Sequence, residues 1–202
     1  MQTTKRFPLI AAVAVLVACA AGNAAADTMP TGRTTTQPIG HYEFCQRVPA
    51  ECQPGAAVKG PVKLTRELWA RMVEINNAVN TSVQPRTDME RWGIEEYWSY
   101  PDLYGDCEDY VLEKRRLLME AGVPAGNLLI TVVLRPNGDG HAVLTVNTDM
   151  GDFILDNMEP AILPWSQTPY RFLKRQSADN PARWVSIYDG RDPAVASISS
   201  SR

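Results

Sequence analysis

Several features are scarce in this sequence or absent from it, and each scarcity removes a class of protein. After residue 20 no hydrophobic run approaches the roughly 20 residues that a membrane-spanning helix needs. The formal net charge is −3, and no basic cluster suited to nucleic acid stands out. Histidine occurs only twice, as His41 and His141, so the choice of a catalytic imidazole is narrow. We therefore expect no transmembrane segment in the mature chain and no nucleic-acid partner.

The one long apolar stretch lies at the N-terminus. Two basic residues precede an apolar run over residues 7–20, and three alanines end at Ala26. This pattern predicts a secretory signal peptide over residues 1–26 and an exported protein. Residues 16–19 also resemble a lipobox, which would leave a lipidated Cys19 as the mature N-terminus. We favour cleavage after Ala26.

The rest of the chain has the size of one domain with short ends. Residues 27–38 are rich in Thr, Pro and Gly without periodicity, which predicts a flexible N-terminal segment. Residues 194–202 are small and polar, and we expect a frayed tail there. The domain itself is predicted over residues 39–193.

Hydrophobic periodicity predicts an α+β fold for this domain. Apolar residues at steps of three and four predict an amphipathic helix over residues 64–79, and a second helix is expected over 107–121. Strands are predicted at 128–134, at 141–146 and from residue 153, and together they would form an antiparallel meander. We therefore expect helices packed against an antiparallel sheet. Two later segments, 170–173 and 184–188, could extend that sheet.

Three cysteines remain once Cys19 leaves with the signal peptide. In an oxidising compartment an odd number implies one unpaired thiol. Cys45 and Cys52 are the natural local pair for a disulfide, which leaves Cys107 free. Two alternatives stay open. All three thiols could be reduced and buried, or two of them could bind zinc with His41, although the spacing matches no standard zinc site.

Cys107 has the features of a nucleophile. It stands at the predicted start of a helix, where the helix dipole favours a thiolate, so we expect its pKa to be lowered. If the turn of the following hairpin is centred between residues 148 and 149, His141 directly faces Asp156 across the strands. Cys107, His141 and Asp156 would then be the nucleophile, the base and the group that orients the base. Taken singly, each residue has an ordinary alternative, as a packed thiol, a surface histidine or a turn residue.

Acidic residues crowd around this cysteine. Asp106, Glu108 and Asp109 are its neighbours in the sequence. They could simply stabilise the N-terminus of the helix. They could instead bind a hard cation such as Ca²⁺, which takes several oxygen ligands. Charge alone does not separate these two interpretations. The backbone N–H of Cys107 is a candidate oxyanion donor, and Trp98 is considered as a second donor.

At these positions the sequence resembles the bacterial transglutaminase-like cysteine proteinases. The resemblance rests on Gly-Asp-Cys-Glu-Asp-Tyr at 105–110, Gly-His-Ala-Val-Leu at 140–144 and Leu-Asp-Asn at 155–157, together with the segments around both other cysteines. It implies a papain-like, transglutaminase-like fold and periplasmic endopeptidase activity. It also implies a catalytic triad of Cys107, His141 and Asp156.

The resemblance bears on cofactors and partners too. In the adhesin-releasing members of the family, acids flanking the catalytic cysteine take part in a calcium site, which maps onto Asp106 and Glu108 and tilts the balance toward Ca²⁺. The implied partners are a protein substrate, such as an outer-membrane adhesin, and an inner-membrane regulatory receptor for cyclic di-GMP. No feature of the sequence identifies either partner.

Three functions compete. The leading one is a thiol endopeptidase that works through an acyl-enzyme on Cys107. The second is a transglutaminase or amidase, because an amine can resolve the same acyl-enzyme in place of water. The third is a non-catalytic module for calcium-dependent binding.

Overall fold

A computed structural model describes residues 26–55 and 60–190 of the chain. The predicted signal peptide up to residue 25, Cys19 and the predicted tail lie outside these residues. The helices are α1 Ile39–Arg47, α2 Arg66–Ser82, α3 Asp88–Trp92 and α4 Cys107–Glu120. The strands are β1 Thr31–Thr35, β2 Gln84–Pro85, β3 Tyr104–Gly105, β4 Leu128–Leu134, β5 Gly140–Thr148, β6 Gly151–Leu155, β7 Leu163–Pro164, β8 Arg171–Gln176 and β9 Trp184–Ile187.

One antiparallel sheet organises the molecule. Its seven strands follow the order β1-β9-β8-β4-β5-β6-β7, while β2 and β3 form a separate parallel pair. The predicted meander is confirmed as β4, β5 and β6, which pair in sequence. Strand β4 has the predicted bounds, because its run of β-branched and aliphatic residues suits a strand that is buried along most of its length. The sheet is therefore continuous, with the meander near its centre.

The helix α4 is the centre of the core. It packs against β4, β5 and α2. The apolar core between these elements includes Met72, Val79, Leu118, Leu144 and Leu155. Because α4 is covered on several sides, it also buries polar residues, among them Lys114, whose Nζ has no hydrogen-bond partner within the described residues. None of the described helices is long and apolar enough to cross a membrane.

Local sequence signals fix the ends of two helices. The Thr65 hydroxyl accepts a hydrogen bond from the N–H of Leu68 at 3.1 Å, which caps α2. Helix α3 starts with a capping box, in which Thr87 and Glu90 bond each other's backbone. It ends at Gly93, whose φ of 73° is the left-handed conformation that glycine adopts readily. This short helix holds Asp88 at its first position.

The segment predicted to be flexible, residues 27–38, is instead part of the fold. Strand β1 pairs antiparallel with β9, with Thr31 opposite Ile187. Ahead of it, the Asp27 carboxylate accepts a hydrogen bond from the Trp165 indole at 2.9 Å, and Met29 is buried. Threonine suits a strand, and an edge strand with mostly exposed residues shows no hydrophobic alternation. The composition of this segment resembles that of a linker. The prediction was wrong because the strand that orders the segment, β9, lies at the far end of the domain.

Candidate active site

Cys107 is the first residue of α4, directly after the β2–β3 pair. The backbone at Gly105 packs closely against α4, since an added Cβ would lie 2.8 Å from the Cβ of Asp109. The thiol of Cys107 lies 3.1 Å from the Glu108 carboxylate and receives a hydrogen bond from the backbone of Ala142. The thiol therefore lies beside the part of β5 that carries His141.

His141 and Asp156 form a buried pair. The Nε2 of His141 lies 2.8 Å from Oδ1 of Asp156, and both side chains are almost fully buried. Asp156 also accepts hydrogen bonds from the Met158 N–H at 3.0 Å and from the Tyr170 hydroxyl. Burial by itself raises the pKa of Asp156, but these hydrogen bonds and the charge of His141 outweigh it and hold the pKa below its usual value. The carboxylate thus fixes Nε2 and leaves Nδ1 as the ring nitrogen available for a thiol.

The hairpin register differs from the predicted one. Leu144 lies opposite Leu155, so the turn is centred one residue later than expected, and Gly151 closes it with a φ of 123°. His141 is therefore not directly opposite Asp156, which follows the end of β6 and lies diagonal to it. The change moves each partner by two positions, which preserves the face of the sheet on which a side chain lies. The two side chains meet for that reason.

The thiol environment contradicts the predicted lowering of its pKa. Burial raises the pKa of Cys107 well above its usual value, and the adjacent Glu108 carboxylate raises it further. Asp106 acts in the same direction. Position at the start of α4 does not outweigh these effects, because the sulfur is buried and lies beside acidic side chains. A nucleophilic thiolate at this position needs that negative charge to be offset.

Three carboxyl groups meet beside the thiol. Asp88, Asp106 and Glu108 place ligand oxygens within 4.8 Å of one another. Asp106 stands at the N-cap position of α4, but its side chain does not cap that helix. Its Oδ2 accepts the N–H of Asp88 at 3.1 Å instead. The remaining oxygens of both aspartates, Oδ1, are buried without a hydrogen-bond partner in the described part of the chain.

Electrostatics explains why this cluster suits a cation. Burial first, and then the neighbouring carboxyl groups, raise the pKa of Asp106 and Glu108 above their usual values. Buried carboxylates this close together require either protons or a positive ion between them. Oxygen donors without partners are the ligands that hard cations such as Ca²⁺ take. The residues therefore fit a calcium ion.

The sequence did not point to Asp88, which is a member of the acidic cluster. It did point to Asp109, which is not a member. The β2–β3 pair brings α3 beside the start of α4, and this pairing places Asp88 in the cluster. The local signal at Asp88 is a helix-capping box, which by itself indicates only a helix start. Asp109 forms an ion pair with Arg91 at 3.0 Å and accepts the Ser99 N–H at 2.8 Å. Burial raises the pKa of Asp109 to about 7 in spite of both contacts.

The other two cysteines of the described residues are joined to each other. Cys45 and Cys52 form a disulfide with a Cα–Cα distance of 5.6 Å, which ties α1 to the turn that follows it. Cys107 is the free cysteine of the described residues. His41 lies beside the disulfide, and burial lowers its pKa to about 4. Sulfurs bonded to each other are not thiolate ligands, so this group does not match a zinc site.

The indole of Trp98 is engaged elsewhere and is not an oxyanion donor. Its indole N–H donates to the Glu96 carboxylate at 2.9 Å, and its ring packs edge-on against His41 and Trp184. It is a core residue. The backbone N–H of Cys107, at the start of α4, remains the candidate donor from the sequence analysis.

Comparison with known proteins places this geometry in a family. The family model described as bacterial transglutaminase-like cysteine proteinase, BTLCP, matches residues 31–192. This match covers β1 through β9 and includes every residue of the candidate site. Comparison with curated protein sequences found no match.

Solved structures of LapG from Legionella pneumophila share the fold. The calcium-bound form is 23% identical, covers 74% of this chain and 81% of its own, and has a TM-score of 0.51. A second LapG structure is 24% identical over 74% of this chain and 80% of its own, with a TM-score of 0.50. An EGTA-treated LapG is 23% identical, covers 77% of this chain and 85% of its own, and also has a TM-score of 0.50. The predicted transglutaminase-like α+β fold is thereby confirmed.

Proposed function

Because the chain belongs to the bacterial transglutaminase-like cysteine proteinases and is a cysteine peptidase, we propose that it is a periplasmic endopeptidase with Cys107, His141 and Asp156 as its catalytic triad. The observation that carries this proposal is the buried contact of 2.8 Å between His141 and Asp156. The thiol of Cys107 meets the backbone next to that histidine. These are the neighbours that a thiol nucleophile needs.

The chemistry follows from the roles of the three side chains. His141 takes the thiol proton, and the Cys107 sulfur attacks the peptide carbonyl carbon. The backbone N–H of Cys107 donates to the oxyanion that forms. His141 then gives the proton to the leaving amine, which leaves a thioester on Cys107. Water, activated by His141, hydrolyses the thioester and restores the thiol. Asp156 keeps the imidazole in place and stabilises its protonated form.

Calcium is the proposed cofactor, held by Asp88, Asp106 and Glu108. LapG, which shares the fold, occurs in a calcium-bound form. In this chain the support is the buried oxygens without partners and the mutual repulsion of the carboxyl groups. A bound Ca²⁺ supplies positive charge that offsets Glu108, the carboxylate closest to the thiol. Cys107 and His141 can then exist as thiolate and imidazolium.

The substrate and partners are proposed from the family alone. We propose a protein substrate of the outer-membrane adhesin type and an inner-membrane receptor that regulates access to it. Export through the predicted signal peptide would place the enzyme in the periplasm, between the two membranes in which the adhesin and the receptor lie.

The test is the rate of iodoacetamide labelling of Cys107 between pH 4 and 9. It compares the unmutated protein with His141→Ala, each with calcium and with EGTA, and uses Cys107→Ala to prove that labelling is specific. We expect an inflection well below the free-thiol value of about 8.5 with calcium, and its loss in His141→Ala. EGTA should move the inflection upward, because Glu108 is then no longer neutralised. An inflection near 8.5 in every sample would refute the triad.

Product analysis separates hydrolysis from amine transfer. Incubation of the enzyme with a peptide mixture and a primary amine should yield shorter fragments with free carboxyl termini. Peptides whose mass has increased by the amine would instead establish a transglutaminase or amidase on the same acyl-enzyme.

A further inference from the structure

The three carboxyl groups of the proposed calcium site come from two different helices. Asp88 is the first residue of α3, whereas Asp106 and Glu108 lie at the start of α4. Helix α3 has only five residues, and an isolated helix needs about 12 to 15 residues to be even marginally stable. The position of α3 beside α4 must therefore come from contacts with its neighbours.

Two contacts one helical turn apart join α3 to the start of α4. In the first, the backbone N–H of Asp88 donates to Oδ2 of Asp106 at 3.1 Å. In the second, Nη1 of Arg91 donates to Oδ2 of Asp109 at 3.0 Å. Arg91 follows Asp88 by three residues and Asp109 follows Asp106 by three, and residues three apart lie on the same side of a helix. The ion pair thus repeats, one turn further on, the contact that joins two of the proposed ligands.

The ion pair is buried, and each partner has a second contact. The Arg91 side chain is 7% exposed and the Asp109 side chain is fully buried. The other oxygen of Asp109, Oδ1, accepts the N–H of Ser99 at 2.8 Å, and Nη2 of Arg91 donates to Asp102 at 3.2 Å. Ser99 and Asp102 both belong to the connection between α3 and β3. The ion pair therefore joins α3, α4 and the segment that links them.

The carboxyl groups of the cluster oppose this arrangement when no cation is bound. Their oxygens lie within 4.8 Å of one another, so ionised carboxylates there repel each other. That repulsion favours movement of α3, with Asp88, away from the start of α4. An attractive contact between the same two helices counteracts it. A site whose ligands are already gathered binds its ion more tightly, because less of the chain has to be ordered on binding.

We propose that Arg91 and Asp109 are positioning residues of the calcium site, whose ion pair holds Asp88 beside Asp106 and Glu108 before the ion binds. This inference rests on the calcium site proposed above. It gives a role to Asp109, which follows Glu108 in the sequence but is not one of the three clustered carboxyl groups.

A variant that removes the ion pair without changing the net charge isolates this role. Arg91→Met with Asp109→Asn removes one positive and one negative charge together. It leaves no buried charge without its partner, and the asparagine keeps an oxygen that can accept the Ser99 N–H. The matched control is Arg71→Met with Glu74→Gln, which removes an exposed ion pair of 2.8 Å from α2.

The test is isothermal titration of calcium chloride into each protein after metal has been stripped with EGTA and the chelator removed. We expect the Arg91 and Asp109 double variant to bind calcium about tenfold to hundredfold more weakly, as is typical when groups that orient metal ligands are lost. The control double variant should keep the affinity of the unmutated protein. Urea unfolding of the calcium-free proteins shows whether each variant is folded.

The single variant Arg91→Met separates positioning from simple charge. A guanidinium near a cation site repels the cation, so loss of its charge alone should strengthen calcium binding. Loss of the ion pair should weaken binding instead, because α3 is no longer held. Weaker binding by Arg91→Met supports positioning, and tighter binding would contradict it.

Hydrogen exchange measured by mass spectrometry gives a readout that does not depend on affinity. In the calcium-free double variant, the peptide that contains α3 should exchange faster than in the unmutated protein, and saturating calcium should reduce the difference. Equal exchange in the two calcium-free proteins would show that the ion pair does not hold α3.

The outcomes distinguish this inference from the calcium site itself. Unchanged calcium affinity in the Arg91 and Asp109 double variant would refute the positioning role and leave the calcium site intact, even if the urea midpoint fell, because a purely structural ion pair alters stability alone. Absence of calcium binding by the unmutated protein would refute the site and the positioning role together.

Discussion

Lys114→Met should stabilise the fold at neutral pH, and the gain should shrink as the pH rises. Lys114 is fully buried on α4, its Nζ has no hydrogen-bond partner in the described chain, and the Tyr110 ring centroid is 5.9 Å from it. Burial lowers the pKa of Lys114 from 10.5 to about 7, with Asp156 opposing the effect. Methionine has a similar length and no charge to desolvate.

The size of the effect follows from linkage between protonation and folding. The folded-state pKa is below the unfolded one, so between about pH 7 and 10.5 the unfolded chain binds more protons and stability rises with pH. The free-energy cost of keeping Lys114 buried is about 4 kcal/mol at pH 7 and about 1 kcal/mol at pH 10. Packing differences between the two side chains do not depend on pH. The stability difference between the proteins should therefore change by about 3 kcal/mol over this range.

Urea unfolding of both proteins at pH 7, 8, 9 and 10 measures this difference. Other titrating groups are common to the two proteins and cancel. Lys63→Met, at an exposed position, is the matched control and should show a difference from the unmutated protein that is flat with pH. A Lys114→Met curve parallel to that of the unmutated protein would show that the buried ammonium is already stabilised, and our reasoning about it would be wrong.

Three further predictions address the site and its surroundings. Asp156→Asn should lower the turnover of the peptide mixture by about 10³-fold to 10⁴-fold, because His141 loses the carboxylate that orients it. The far-UV circular dichroism should not change. A turnover within twofold of the unmutated value, a margin of about 0.4 kcal/mol, would remove Asp156 from the triad. Asp88→Asn should weaken calcium binding, measured by isothermal titration calorimetry, by about tenfold or more, since one of three charged ligands is lost; unchanged affinity would place the ion elsewhere. The double replacement Cys45→Ser and Cys52→Ser should lower the unfolding free energy by about 2 kcal/mol, since the disulfide closes a short loop. It should not change the Cys107 labelling rate, because neither sulfur takes part in the proposed chemistry; a changed rate would tie the disulfide to the site.

The sequence allowed good prediction of elements whose signals are local. Strand β4 has a continuous aliphatic run, and α4 has a polar start and a Gly122 stop, so their positions matched. The antiparallel meander followed from turn residues between adjacent strands. These contacts join segments that are close in sequence, so local patterns determine them.

Features that depend on distant segments could not be read in this way. Strand β1 pairs with β9, and its composition alone indicated a linker. Asp88 reaches the acidic cluster only because β2 pairs with β3, two strands of two residues each. The direction of the Cys107 pKa shift was wrong because it depends on burial and on where the Glu108 side chain lies, whereas the sequence shows only the helix start.

The pairing of β1 with β9 has a consequence for the order of folding. Thr31 lies opposite Ile187, so this edge of the sheet joins the two ends of the described chain. Contacts between such distant segments carry a large loop-closure entropy and form slowly, whereas the hairpins of β4, β5 and β6 close short loops. His141 lies on β5, Asp156 directly follows β6, and Cys107 begins α4, which packs against β4 and β5. Pulsed hydrogen exchange during refolding should therefore protect β4 and β5 before β1, so that His141 and Asp156 of the candidate triad come together before β1 pairs with β9.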